Sequence, residues 1–529
     1  MPAKLHQHMG RSGRCESRNH ARPVLKVQTS AAPRRIAVRS HEWTPGGILT
    51  VLASDRHLLD YLLDDEQDPQ QAPPERHRSF ARTAVEASLE LFPSAPPVRR
   101  RISRGMSVLI QVVVVLIGVV AMLGRVSGIP AWGGVYAEDY GLFLPGALAR
   151  PWHLLVPYAG YVQLGPRLIA QLVTYLPLRD AAAAIAVAGA LIACLCALFI
   201  FHAGAGLVRS PWLRGLLALA VVLLPVAPLE IPDSAVDSPW YMMMALFFAT
   251  LWRPRTRTAM AIAAIIGFMT AASEVLAIVL LPLLLIRVIA LPRVREHAVT
   301  LGWLAGCLLQ LPYVLQGLGA SRGDRIGRLA TFSQVNAFYG HDVVMPALGW
   351  HLSWQLRSLA GRDGATLIVG AFLATVFAYA LITQGRQARV FLAAALLTGY
   401  LETVAAGTLS WWVPVLAVTL HGEAGSRYTD LPILLIDAAL ILTVDSFLRR
   451  TTTRPRAVGA LIALIAVLCV GWIPDYRYLG NRSNATNWPA TSATWLRDCD
   501  HSPTGVIRVT TGAHQVYELP CSNLRRLGA

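Results

Sequence analysis

The sequence predicts an all-α polytopic membrane protein with about eleven transmembrane helices, on three observations. Hydrophobic residues make up 54% of the 529 and charged residues only 15%, against about 25% charged in an ordinary soluble domain. The mean hydropathy is +0.47, and apolar runs follow one another at lengths near the ~20 residues a helix needs to cross ~30 Å of hydrocarbon. The alternation of barrel strands is absent, which leaves helices as the structures that satisfy their own backbone in lipid.

Residues 1–105 stand apart, being rich in Arg, His, Ser, Pro and Asp with no run that could span. They are expected to be a basic, largely disordered cytoplasmic tail, with Leu58 to Leu63 and Ala81 to Leu91 suited to short amphipathic helices. The alternative is a start at Met106, directly after the basic run Arg99-Arg-Arg101 and Arg104. No apolar core lies near the N-terminus, so a cleaved signal peptide is not expected.

Residues 106–473 are expected to form the helical bundle. Spans are read over Ser107 to Arg125, Ala181 to His202, Leu213 to Leu229, Pro239 to Trp252, Thr258 to Ala272 and Val275 to Ala290. Further spans are read over Ala298 to Leu318, Ala365 to Thr383, Val390 to Leu409, Tyr428 to Phe447 and Ala457 to Ile473. The stretch from Thr258 to Ala290 fits two short spans with a turn near Ser273-Glu274; one long tilted helix would reverse everything downstream. Residues 474–529 are expected to be a short extracytoplasmic tail.

Arginine orients this bundle, because short cytoplasmic loops hold the positive charge. Arg209 and Arg214, Arg253 to Arg257, Arg293 and Arg295, Arg386 and Arg389, and Arg449 to Arg456 recur in every second loop. The N-terminus is therefore expected inside and the C-terminus outside. The net charge of +16 is read as this topology signal with attraction to anionic membrane lipid, and no nucleic-acid partner is expected.

Of the seven cysteines, Cys194, Cys196, Cys307 and Cys469 fall in apolar spans, where a small buried residue is the ordinary role. Cys499 and Cys521 both fall in the outside tail, where a disulfide is expected. There is no Gly-Lys dipeptide and so no phosphate-binding loop of the ATP-driven kind. Neither His-Glu-x-x-His nor Cys-x-x-Cys occurs, so no metal site is assigned. Gly319-Ala-Ser321-Arg-Gly323 matches a nucleophile-elbow pattern, but it follows a membrane helix and not a strand.

The chemistry-bearing residues collect on the expected outer side. The acidic pair Glu138-Asp139 follows the first span and is succeeded by Tyr158-Ala-Gly-Tyr-Val-Gln-Leu-Gly-Pro-Arg167. A second loop runs Glu230-Ile-Pro-Asp233-Ser-Ala-Val-Asp237-Ser-Pro-Trp240, and Glu274 lies in the next outer turn. The segment 319–364 is read as a large loop with Arg322, Asp324, Arg325, His341 and Asp342; the last loop holds Trp411-Trp412, His421, Glu423, Arg427 and Tyr428. Aromatics here also suit plain interfacial anchoring.

Glu138-Asp139-Tyr-Gly-Leu-Phe-Leu, Tyr158-Ala-Gly-Tyr-x-x-Leu-x-Pro-Arg167, the Asp-containing loop ending in Trp240, and Gly425-Ser-Arg427-Tyr428 with Leu431-Pro432 resemble the actinobacterial integral-membrane glycosyltransferases of the GT-C superfamily. The resemblance runs from about residue 107 to the Cys521 tail. It implies a GT-C-like bundle whose first outer loop bears the catalytic base, and a donor sugar on polyprenyl phosphate. The acceptor would be a glycan, lipid or protein of the cell envelope, at the outer face of the cytoplasmic membrane. Where the family carries asparagines in the second loop, this chain has Asp233 and Asp237.

Sugar transfer needs a carboxylate to take the acceptor's proton, and Asp139, then Glu138, are the candidates. The departing phosphate needs a cation, for which Arg427 comes first and Arg167 second, a planar guanidinium matching phosphate oxygens. Tyr158, Tyr161, Trp240 and Tyr428 are candidates to contact the sugar, and His421 or His341 to orient acceptor or phosphate. The residues name no cofactor, and a divalent cation, Mg or Mn, stays an open alternative. The rival classes are a transporter or lipid flippase working through Glu274, Glu402 and Asp437, and a non-catalytic membrane subunit. Gly302-x-x-x-Gly306 suits helix packing within the bundle or with a partner.

Overall fold

The computed structural model describes residues 88–93, 103–126, 128–134, 138–225, 234–320, 331–409, 427–477, 485–510 and 516–524. Among them the chain is a helical bundle with two small antiparallel hairpins. Seven helices are long and apolar enough to cross a membrane, and four shorter apolar helices, Pro211–Leu223, Ser238–Leu251, Arg257–Ser273 and Val275–Ala290, accompany them.

Helix α1 (Arg104–Leu123) starts where Ser103 accepts a hydrogen bond from the Met106 N–H. After it come α2 (Leu144–Ala149), the hairpin β1 (Pro157–Tyr158) and β2 (Tyr161–Val162), and α3 (Leu164–Val173). Helix α4 (Ala181–Ala203) follows, and then α5 (Pro211–Leu223), which ends six residues short of the expected Leu229. The cause is local: Leu224 is extended (φ −47°, ψ 121°), as the residue before Pro225 is pushed to be. Helix α6 (Ser238–Leu251) is buried along nearly its whole length.

Helix α7 (Arg257–Ser273) stops at Glu274, whose backbone is extended (φ −139°, ψ 118°), and a tight turn from Val275 leads into α8 (Leu281–Ala290). Arg253, ahead of α7, and Arg287, in α8, both bond Glu296, so the two helices form a hairpin rather than one tilted rod. Helix α9 (Ala298–Ala320) lies against α7 with only glycine-sized gaps between them. A Cβ on Gly302 would fall 2.0 Å from the Ala264 carbonyl oxygen, and one on Gly306 2.7 Å from that of Phe268. The Gly302-x-x-x-Gly306 pair thus packs inside the bundle, where absent side chains let two backbones touch.

The segment read as a large loop is partly helical. It holds α10 (Phe332–Phe338), capped at both ends of its first turn by Thr331 and Gln334, and α11 (Trp350–Thr383), which begins 15 residues ahead of the expected Ala365. Gly349 (φ 121°) turns the chain, and the Asp475 carboxylate accepts from the Trp350 and His351 N–H groups at 2.5 and 3.0 Å. That carboxylate stabilises the positive end of the helix dipole. Gly361 (φ 74°, ψ 174°) then breaks α11 into an early piece and the apolar span, in a conformation that costs a side chain dearly.

Helices α12 (Arg386–Leu409), α13 (Arg427–Arg450) and α14 (Arg454–Trp472) complete the bundle. Helix α13 is its centre, 83% buried over its apolar stretch, whereas α1 at 11% is its rim. Beyond α14 the expected tail is a folded unit: α15 (Trp488–His501), an antiparallel pair β3 (Val506–Thr510) and β4 (Val516–Pro520), and α16 (Cys521–Leu524). Cys499 and Cys521 are disulfide-bonded, with Cα atoms 5.1 Å apart.

One end of the bundle gathers the arginines. Arg287 is wholly buried, donating to the carbonyls of Thr250 and Glu296, and its guanidinium lies 5.6 Å from the Phe92 ring. Within the segment read as tail, Leu91 and Phe92 are buried against the main core; residues 1–87 and 94–102 lie outside the described residues. At the opposite end sit Arg125, whose guanidinium donates to the carbonyls of Val222 and Leu224 at 2.7 and 2.6 Å, and the acidic pair.

Candidate functional site

The site begins with two neighbouring carboxylates in opposite surroundings. Glu138 opens a π-helical turn, Asp139 to Phe143, that runs straight into α2. Asp139 is buried, and three donors fill its oxygens: Ser234 Oγ at 2.9 Å and Ala235 N–H at 3.0 Å on Oδ2, Val236 N–H at 2.8 Å on Oδ1. Such charge-assisted bonds to backbone N–H groups are strong, and they fasten the first segment to the residues leading into α6.

Glu138 is half-buried. Its Oε1 accepts from the Tyr158 hydroxyl at 3.2 Å, while Oε2 is shielded from solvent with no hydrogen-bond partner. A buried carboxylate oxygen without a donor is costly, and exceptions of this kind mark strain, chemistry or a bound water or ion.

Tyr158 and Tyr161 face each other across the β1–β2 hairpin, whose two turn residues, Ala159 (φ 52°) and Gly160 (φ 90°), are both left-handed. Two-residue hairpins prefer this geometry, although alanine pays for it sterically. Gln310 of α9 grips the hairpin by donating to the Val162 carbonyl at 2.6 Å and accepting from its N–H at 2.8 Å. Ser273 Oγ accepts from the Gly165 N–H at 2.8 Å. Burial raises the Tyr158 hydroxyl well above its usual range, with the Glu138 charge adding to it, so the phenol holds its proton as a donor to Glu138.

The Tyr161 hydroxyl accepts from Gln163 Nε2 at 2.9 Å and bonds Glu274, whose Oε1 also accepts from the Leu276 N–H at 3.0 Å. Glu274 sits in the turn between α7 and α8, where burial pushes its carboxyl up to about 7. The electrostatic field of Arg427 reaches Tyr158, Tyr161 and Glu274 alike.

Arg427, at the start of α13, pairs with Asp237 at 3.4 Å and lies 5.5 Å from the Tyr428 ring. Tyr428 in turn meets the buried Trp240 edge-on, centroids 5.2 Å apart. One contiguous network therefore joins Asp139, through residues 234–237, to Arg427, Tyr428 and Trp240, with Tyr158 linking Glu138 to the same field. Trp240 is 4% exposed, so its ring walls the site from within, whereas Tyr158, Tyr161 and Tyr428 are partly open. Arg167 is also buried; its guanidinium lies 5.2 Å from the Phe143 ring, which packs on Tyr158 at 6.2 Å. Burial lowers the Arg167 pKa.

His341 belongs to a cluster of its own, bonded to Thr366 at 3.0 Å and paired with Asp363 at 3.3 Å, beside Arg362 and Asp342. Burial lifts the Asp342 carboxyl to about 7 against the pull of Arg362 and Arg357. Glu402, wholly buried in α12, has no hydrogen-bond partner on either oxygen and lies in the field of Glu274 and Asp430; Asp437 Oδ2 likewise has none. His421 lies outside the described residues, as do Glu230, Asp233, Arg322, Asp324, Arg325, Trp411, Trp412 and Glu423. Among the described residues no group of three or more His, Cys, Asp or Glu is arranged to hold a metal ion.

The residue that sequence reasoning missed is Tyr517. Strand β4 carries it over Gly141, where any Cβ would fall 2.1 Å from its ring, and its hydroxyl feels the Glu138 charge. The C-terminal unit is held there by Trp488, which donates to the Leu178 carbonyl at 2.6 Å and meets Tyr140 edge-on at 4.8 Å. Gly141, next to the acidic pair, was the available signal. Comparisons with protein-family models, curated proteins and solved structures found no match, so the reading of this site rests on its own chemistry.

Proposed function

We propose that the protein is a membrane glycosyltransferase that moves a sugar from a polyprenyl-phosphate donor to a cell-envelope acceptor at the outer face of the cytoplasmic membrane. In this reading the arginine-rich end is cytoplasmic and the C-terminal unit is outside. The observation that carries it is Glu138: one carboxylate oxygen accepts from Tyr158, which lies in the field of Arg427, and the other has no protein donor, which leaves its lone pairs for an acceptor hydroxyl.

The acceptor hydroxyl gives its proton to Glu138 as its oxygen bonds to the sugar's anomeric carbon, and the bond from that carbon to phosphate breaks. Arg427 receives the charge that develops on the departing phosphate, since a guanidinium matches its oxygens. Asp139, filled by three donors, acts as a positioning residue, so the base role passes from the expected Asp139 to Glu138. Tyr158, Tyr161 and Tyr428 supply the partly open rings for sugar contact. Mg or Mn, if used, would bind with substrate phosphate, as such ions commonly do.

The test is transfer by purified protein in lipid, given labelled polyprenyl-phosphate sugars and a cell-envelope extract. Glu138→Gln is expected to lower transfer by about 10²–10⁴-fold with donor binding kept; undiminished transfer sinks the base assignment. Proton-coupled transport is the second reading, motivated by Glu402, whose two buried oxygens lack partners. Substrate flux in sealed vesicles, abolished by Glu402→Gln, would favour it.

A further inference from the structure

An apolar groove of about 710 Å³ runs between α1, α4 and α5 on the rim of the bundle. Small side chains hollow it out, Ser107, Gly118 and Ala121 on α1 facing Ala197 on α4 and Gly215 and Ala218 on α5. From Ser107 to Ala121 it extends roughly 21 Å at 1.5 Å per helical residue, more than half of the ~30 Å hydrocarbon layer. Its volume is that of a ligand site, and its walls offer a ligand almost nothing to hydrogen-bond.

The mouth at the arginine-rich end is different. Phe201 and His202 close α4 there, and Pro211 and Trp212 begin α5. Trp212 is 85% exposed, as suits a ring at the lipid headgroup level. Arg214 lays its guanidinium 4.9 Å from the Phe201 ring, and its Nε is shielded from solvent with no hydrogen-bond partner. Arg209 and Arg449 flank the same turn. The opposing carboxylate, Asp445, already accepts from the N–H groups of Arg209 and Ser210 at 3.1 and 3.0 Å and pairs with Arg449 at 3.2 Å, besides lying in the field of Arg214. Three arginines thus surround one carboxylate, and the N-terminus of α5 adds its positive dipole end.

An apolar slot of chain width ending in an excess of cations is complementary to one class of molecule. We infer that the groove binds one anionic glycerophospholipid from the leaflet at the arginine-rich end, an acyl chain lying along α1 and the phosphate meeting Arg214. The lipid fills the gap between the rim helix α1 and α5, which otherwise meet only loosely. This inference is independent of the sugar-transfer reading.

The test is native mass spectrometry of the detergent-purified protein titrated with phosphatidylglycerol or phosphatidylcholine of identical chains. Phosphatidylglycerol is expected to be retained at one site about fivefold more tightly, the effect of about one basic group near an anionic surface. Arg214→Gln is expected to erase that preference and keep chain binding. Gly215→Trp should abolish retention of both lipids, because a side chain there enters open space with no protein atom within 4 Å and so fills the groove without disturbing the fold; Ala218→Phe repeats the block from the next turn. Equal retention of the two lipids, retention unchanged by both blocking variants, or displacement of the phospholipid by a polyprenyl phosphate would overturn the proposal.

Discussion

The two ends of the bundle treat buried charge differently. At the arginine-rich end Arg287 is enclosed by carbonyl acceptors and an aromatic ring, and Glu296 holds Arg253 at 2.8 Å. These groups serve as joints between helices, with partners fixed by the fold on every side but Glu296 Oε2, which is buried without one. At the acidic end some charges are joints too, such as Asp139 and Asp475. Beside them, however, Glu138 Oε2 and both oxygens of Glu402 are buried with nothing to bond. Folding does not reward a lone buried carboxylate oxygen; what sets the acidic end apart is Glu402, with neither oxygen bonded, and Glu138, whose bonded oxygen is held by the Tyr158 hydroxyl and not by a cation.

The largest expected effect would break that contrast at the joint end. Arg287→Ala strands the carbonyls of Thr250 and Glu296 and uncovers Phe92, and should cost about 1–3 kcal/mol for each stranded carbonyl, read as a lowered midpoint in thermal unfolding of the purified protein. If stability is unchanged, the arginine end is not built as described. At the acidic end, Gly141→Ala drives a methyl into the Tyr517 ring and should cost about 1–3 kcal/mol by overpacking. It should also lower transfer, since the ring beside Glu138 must move; Tyr517→Ala in the same chain is expected to restore stability, which a clash elsewhere would not allow.

A further effect sharpens the comparison through pH. The Asp342 carboxyl is raised to about 7 in the folded protein, from about 3.9 in an unfolded chain. A group raised on folding contributes stability that is complete below the unfolded value and is lost as pH rises through the folded one. Stability should therefore fall between about pH 4 and pH 7, with Glu274 contributing in the same window, and Asp342→Asn should reduce that slope. A slope unchanged in the variant would remove Asp342 from it and leave it to Glu274.

Much of the bundle is legible in the sequence, because a helix in lipid needs an apolar run and arginines mark its ends. The break at Glu274 is legible for the same reason: basic residues bound both ends of the stretch, which brings them to one side only if it returns on itself as two short helices. The start of α11 is not, since it depends on Asp475, more than a hundred residues away, capping the turn that Gly349 makes. The site is legible as an inventory and not as an arrangement. Asp139 and Glu138 are equal candidates as residue types; what distinguishes them is the set of backbone N–H groups at 235 and 236, and every non-proline residue offers such a donor. Tyr517 was hidden because a hairpin 376 residues further along the chain than Gly141 brings it in.

On the proposed reading Glu138 is the base and Asp139 a joint of the fold. Thermal unfolding and sugar transfer measured side by side for Glu138→Gln and Asp139→Asn test it most directly. Glu138→Gln is expected to melt with the wild type and lose transfer by about 10²-fold or more, while Asp139→Asn, its NH2 set against the N–H of Ala235 or Val236, melts earlier. A stable but inactive Asp139→Asn beside a fully active Glu138→Gln would contradict it.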